Sequence, residues 1–121
     1  MASLSNSVFD SGLSTLTTNG SRIDICSTEP TSYAEATSTY TLGNSAITIG
    51  SPADRTGGGR EVTVDAVADA SVSGTGTAAF YAITNGSNTL YATGSLSSTQ
   101  SVSSGNTFSL GSFTIGIPDP A

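Results

Sequence analysis

The sequence predicts a mainly β domain, an antiparallel β-sandwich or small barrel with a short N-terminal helix. Three observations point there. Ser and Thr make up roughly a third of the 121 residues, and 14 glycines accompany them, a composition that suits short strands joined by tight turns. Apolar residues alternate with polar ones in several runs from Arg60 onward, which is the period of a half-buried strand. Asn-Gly and Gly-Asn pairs punctuate those runs at hairpin spacing.

The elements follow in order. Leu4, Val8, Phe9, Leu13 and Leu16 recur near one helical face, so a helix is expected from about Ser5 to Thr18, stopped by Asn19-Gly20. A helix this short is marginal alone and must dock its stripe, for which its own sheet is the favoured surface. SRIDIC reads as a first strand, EPTSYAEATSTYTLG as a loop with one helical turn around Tyr33 to Ala36, and SAITIG, Ser45 to Gly50, as a second strand. REVTV follows as a strand because Val62 and Val64 alternate with Glu61, Thr63 and Asp65, and ASVSGTG turns the chain. Thr77 to Thr84 and Thr89 to Leu96 flank Asn85-Gly86-Ser87-Asn88 as a hairpin. A final pair, Gln100 to Ser103 with Thr107 to Ile117, flanks Ser104-Gly105-Asn106, and Pro118 and Pro120 end any ladder. Residues 1–121 form one domain on this reading, with an N-terminal helix or arm over 1–20, a flexible Gly-rich loop over 51–60 and a C-terminal tail over 118–121.

Charge removes several classes of function. With nine acidic residues, three arginines, no lysine and no histidine, the chain has a net charge of −6. Such a balance repels a phosphate backbone and an anionic membrane surface, and no apolar run reaches membrane-spanning length, so neither nucleic acid nor membrane is an expected partner. The N-terminus lacks the basic and apolar regions of a signal peptide, so synthesis in a cytoplasm is expected. Without histidine there is no Ser-His-Asp triad or Cys-His pair, and a carboxylate pair would need a cleft that short strands seldom build. No catalytic residue, cofactor or metal is expected. Cys26 has no second Cys or His for a disulfide or zinc site, and reads as a free, partly buried thiol on the strand face opposite Ile23 and Ile25. Asp65 and Asp69 lack the EF-hand pattern, and Asn19-Gly20-Ser21 and Asn85-Gly86-Ser87 read as turns. Tyr33, Tyr40, Tyr81 and Tyr91 could line a sugar platform, but cross-strand packing of Tyr81 and Tyr91 is the favoured reading.

SPADRTGGGREVTV, Ser51 to Val64, holds two of the three positive charges and three consecutive glycines. A phosphate-binding loop needs Lys and Ser or Thr after its last glycine, and a helix to follow. Here Arg60 and a strand follow Gly59, so the loop reads as a lead-in to a strand. Arg55 and Arg60 are expected to be exposed on an acidic protein, which makes Arg55, Thr56, Gly57, Gly58, Gly59 and Arg60 the first candidates for docking onto a partner's carboxylates. Leu4 and Val8 of the helix stripe are the second.

Taken together, SVFDSGLSTL, RIDICSTEPTSYAEATSTYTLG, GSPADRTGGGREVTV, SGNTFSL and FTIGIPDP resemble, over nearly the whole chain, a family of small structural proteins of tailed bacteriophages. That resemblance implies a decoration, or cement, protein: a non-enzymatic virion component bound at subunit junctions of the major capsid protein on the capsid surface. It carries no catalytic or metal residue and does not fix the oligomeric state; a homo-oligomer is expected, with a trimer favoured because cement proteins often sit as trimers at local threefold positions of a shell. Two other readings compete, a receptor- or glycan-binding fibre module and a tail-tube or head-completion component whose C-terminal strand pairs with a neighbour's edge.

Overall fold

The computed structural model describes residues 5–118. Helix α1 (Asn6–Asn19) is followed by β1 (Arg22–Cys26), a π-helical turn at Glu35–Thr39, β2 (Thr41–Ala46), β3 (Ala53–Asp54) and β4 (Arg60–Val64). Then come β5 (Val67–Ser71), β6 (Gly76–Thr84), β7 (Leu90–Val102), β8 (Thr107–Leu110) and β9 (Phe113–Ile117). Three antiparallel sheets with orders β2-β1-β6-β7, β3-β4-β9 and β5-β8 stack as a sandwich, and no barrel closes. Single bridges between Gly43 and Val72 and between Ile49 and Val64 tie the sheets to one another.

The core lies between these layers. Ile23, Ile25 and Ile83 of the first sheet meet Val62 and Val64 of the second and Val67, Phe108 and Leu110 of the third, and α1 adds Leu13. Phe9 and Leu13 are buried and Leu16 packs on the same core, so the helix docks its stripe on its own sheets, chiefly on β4. Leu4 lies outside the described residues, and Val8 departs from the stripe with 55% of its surface exposed. Gly20 stops the helix as the sequence predicts, its N–H donating to the Leu16 carbonyl over 2.8 Å. The reason for glycine there is close approach, since a Cβ would stand 2.9 Å from Ile49 Cδ1.

β1 is covered on both faces. Its second face carries Cys26, which with Ala36 and Ala82 forms a smaller cluster under the π-helical turn. Asp24 is fully buried there, held by Arg22 Nε at 2.8 Å and by the Thr41 hydroxyl at 2.7 Å. That triad satisfies a carboxylate whose unpaired burial would be very unfavourable.

Three expectations are corrected. The second strand starts earlier than SAITIG, at Thr41, because the backbone of Thr41–Ala46 pairs with β1, while Ile49 makes only an isolated bridge. ASVSGTG lies between two strands, and Ala70 and Ser71 belong to β5. The final predicted hairpin does not form. Gly76–Ala78 already pair with Gln100–Val102, and the Ser103–Asn106 turn bonds instead to Val72, whose N–H donates to Asn106 O and whose O accepts from Gly105 N–H. The chain therefore arches across the sandwich, so β8 pairs with β5 and β9 with β4. The β6–β7 hairpin forms as predicted: the Asn85 side-chain oxygen accepts the N–H groups of Ser87, Asn88 and Thr89, and Gly86 takes φ +75°.

Candidate functional site at the helix and hairpin end

The segment expected to be a flexible lead-in is a hydrogen-bonded hairpin. Ala53 and Asp54 pair with Glu61 and Arg60, and the loop closes through Arg55 N–H to Gly59 O and Gly58 N–H to Arg55 O. Gly57, Gly58 and Gly59 take φ of +93°, +107° and +91°, a region that side chains disfavour. Gly59 has a second reason to be glycine: a Cβ there would overlap the Ile117 carbonyl of β9. The glycines thus shape a specific turn seated against the sheet edge.

Arg60 is not the exposed cation that the sequence implies. Its Nε and Nη2 fork onto both oxygens of Asp10 at 2.9 and 3.3 Å, Nη1 meets Asp54 Oδ1 at 2.7 Å, and Nη2 also donates to the Pro52 carbonyl. The side chain keeps 16% exposure. Hydrogen bonds first to Asp10 and then to Asp54 raise its pKa above the ordinary arginine value. Arg60 is therefore an internal clamp that fastens α1 to the hairpin, because two carboxylates attract the guanidinium more strongly than solvent does at this half-covered site.

Arg55 differs. Its Nη1 donates to the Gly58 carbonyl at 3.0 Å, and the side chain crosses Gly116 of β9, but it pairs with no carboxylate among the described residues. Thr56 and Gly57 are exposed at the tip, whereas Gly58 and Gly59 are half-buried. Val8 lies two residues before Asp10 on α1, on a different face of the helix from the clamp. Gly12, one turn beyond Val8, faces Ile117 of β9, whose Cδ1 would lie 3.7 Å from a Cβ on Gly12. Val8 and Ile117 are the two exposed large apolar residues among those described. The C-terminal half of β9 thus links these parts: Gly59 of the turn and Gly12 of α1, one helical turn from Val8, both approach Ile117, and Arg55, which pairs with no carboxylate among the described residues, lies over Gly116. Sequence reasoning missed Asp10 and Ile117; the signal for the first was an acidic residue within an otherwise uncharged helix.

Tyr40 and Tyr81 are taken up by packing. Tyr40 packs on the Cys26 cluster. Tyr81 stands opposite Gly94, not Tyr91, and stacks at a tilt of 51° on Phe113 with ring centroids 4.6 Å apart. Tyr91 occupies a register slip between the pairs Ile83 with Ala92 and Thr84 with Leu90. Burial raises the Tyr81 pKa and pushes the Cys26 thiol up to about 12. Such a thiol, with Sγ 3.7 Å from the Ala36 carbonyl, is protonated and inert at neutral pH. Among the described residues no group of three or more His, Cys, Asp or Glu side chains could hold a metal ion, and no helix is long and apolar enough to cross a membrane. No protein-family model, curated protein or solved structure matches the chain.

Proposed function

We propose that the chain is a non-enzymatic decoration protein of a tailed-phage head, binding the major capsid protein at subunit junctions through its helix and hairpin end. The observation that carries this reading is that Arg55 and the Thr56 to Gly59 turn sit on β9 at Gly116 and Ile117, where Gly12 of α1, one helical turn from the exposed Val8, also comes close, on an acidic molecule. An apolar contact and a cation that has no carboxylate partner among the described residues suit a junction lined by apolar and acidic groups, where the guanidinium fork finds its complement. The sequence resemblance to phage structural proteins supplies the identity of that partner.

The mechanism is bridging. Contacts that span two capsid subunits exist only on the assembled lattice, so their free energy stabilises the shell by linkage. Repetition over a lattice lets individually weak contacts suffice. Arg60 and Asp10 act indirectly, holding the helix against the turn so that both contacts are presented together.

The test is occupancy of empty, expanded heads that lack the protein. Saturable binding is expected, with Arg55→Glu and Val8→Asp each weakening it about 10-fold, equivalent to about 1.4 kcal/mol. Absence of saturable binding contradicts the reading, and binding to cells or polysaccharide without capsid replaces it with a fibre module.

A further inference from the structure

We infer that a second copy of this chain docks on the outer edge of β9, forming a two-fold dimer whose sheet runs continuously through two β9 strands. This goes beyond the capsid reading and does not rest on it.

β9 bonds to β4 on one side, and among the described residues no backbone hydrogen bond joins its other edge to any element. Edges of this kind are ordinarily protected by charge, proline or a bulge. Phe113–Ile117 has no charged residue and no proline, and its register with β4 runs without a slip. β7 shows the contrast. It is also an edge strand, but Leu96 to Thr99 bulge out between the pairs Ala78 with Gln100 and Phe80 with Ser95.

The two ends of β9 are complementary to each other. At one end Ile117 is 37% exposed. At the other, Phe113 and Thr114 border a groove of about 610 Å³ that also takes in Tyr81, Leu96, Ser97 and Ser98, and no charged residue lines it. An antiparallel pairing of two β9 strands centred on Ile115 sets Ile117 of each copy opposite Phe113 of the other. Phe113, Ile115 and Ile117 share one strand face by alternation, and the first two pack on the core. Each Ile117 therefore arrives on the core side of its partner, at the mouth of the groove. The arrangement is isologous, as a two-fold interface requires. Each copy carries a net charge of −6, but the strand and groove that meet are neutral, so the approach opposes no charges directly across the new ladder.

Sedimentation of the purified chain over a concentration series tests this. A monomer and dimer equilibrium is expected, with Ile117→Asp weakening association at least about 10-fold and a control in the exposed β6–β7 turn, Ser87→Asp, leaving it unchanged. Circular dichroism checks that both variants fold. A second variant, Ser97→Arg, which places a charge in the groove from an exposed bulge position, is expected to weaken association as Ile117→Asp does. A strictly monomeric wild type, a trimer or open polymer, or a dimer indifferent to both Ile117→Asp and Ser97→Arg overturns the inference.

Discussion

Arg60 at the start of β4 reaches back fifty residues to Asp10 of α1, with Nε 2.9 Å from Oδ1 and Nη2 3.3 Å from Oδ2. This fork joins the helix to the hairpin, and it explains why an arginine that looks available in sequence is structural. Arg60→Ala is expected to loosen α1 without unfolding the sandwich, because Phe9 and Leu13 remain buried. Amide exchange should speed up across Asn6–Asn19 while that of β1 and β6 stays unchanged. Phe9→Ala, which removes a fully docked ring, should by comparison destabilise the fold by about 3 to 5 kcal/mol.

The glycine turn gives a sharp contrast between neighbours. Gly57→Ala meets only an unfavourable φ, with Arg55 Nη1 4.0 Å from the new Cβ, and is expected to cost about 1 kcal/mol. Gly59→Ala meets the same backbone strain and also the Ile117 carbonyl, so it should cost several-fold more and disturb β9. Urea midpoints compared at constant slope measure the difference.

Asp24 is fully buried, and its partner Arg22 has a side chain 28% exposed. Arg22→Met leaves the carboxylate with Thr41 alone, and a loss of about 2 to 3 kcal/mol is expected, at the lower end for an orphaned buried charge because solvent reaches this pair. Replacing Arg22 and Asp24 together by Met and Leu should recover part of that loss, since an apolar pair imposes no desolvation. A double-mutant cycle in thermal unfolding measures the coupling.

Alkaline pH should destabilise the protein in a defined window. The Cys26 thiol titrates near 9 when unfolded and is pushed up to about 12 by burial in the folded chain. Between those values the unfolded state binds fewer protons, so stability falls as pH rises from about 9 toward 12. Tyr81, raised by the same cause, adds to the decline from its ordinary value upward. Cys26→Ala should flatten the lower part of the profile, and a thiol reagent at pH 8 should label the wild-type protein only at the rate of global unfolding.

Much of the fold is legible in the sequence where the signal is local. The α1 stripe, the RIDIC strand, the Val62 and Val64 alternation and the Asn85 to Asn88 turn each declare themselves through neighbouring residues. The partnering of strands does not. Nothing within Ser103–Asn106 distinguishes a hairpin from an arch; the choice is made by Val72, thirty residues earlier, whose N–H and carbonyl capture the turn. The candidate site shows the same division. Its glycines and arginines stand out by composition, but whether each arginine is free depends on Asp10 and Asp54, which are distant in sequence or masked by an apparently irregular loop. Ile117 passed as one more apolar strand residue because its exposure is set by where β9 ends against α1.

The temperature at which empty, expanded phage heads open, recorded with and without saturating protein, tests the bridging role directly. Bridging predicts an upward shift that Arg55→Glu diminishes in proportion to lost occupancy. An unchanged opening temperature at full occupancy would contradict it, because contacts that bridge subunits must stabilise the lattice they bind.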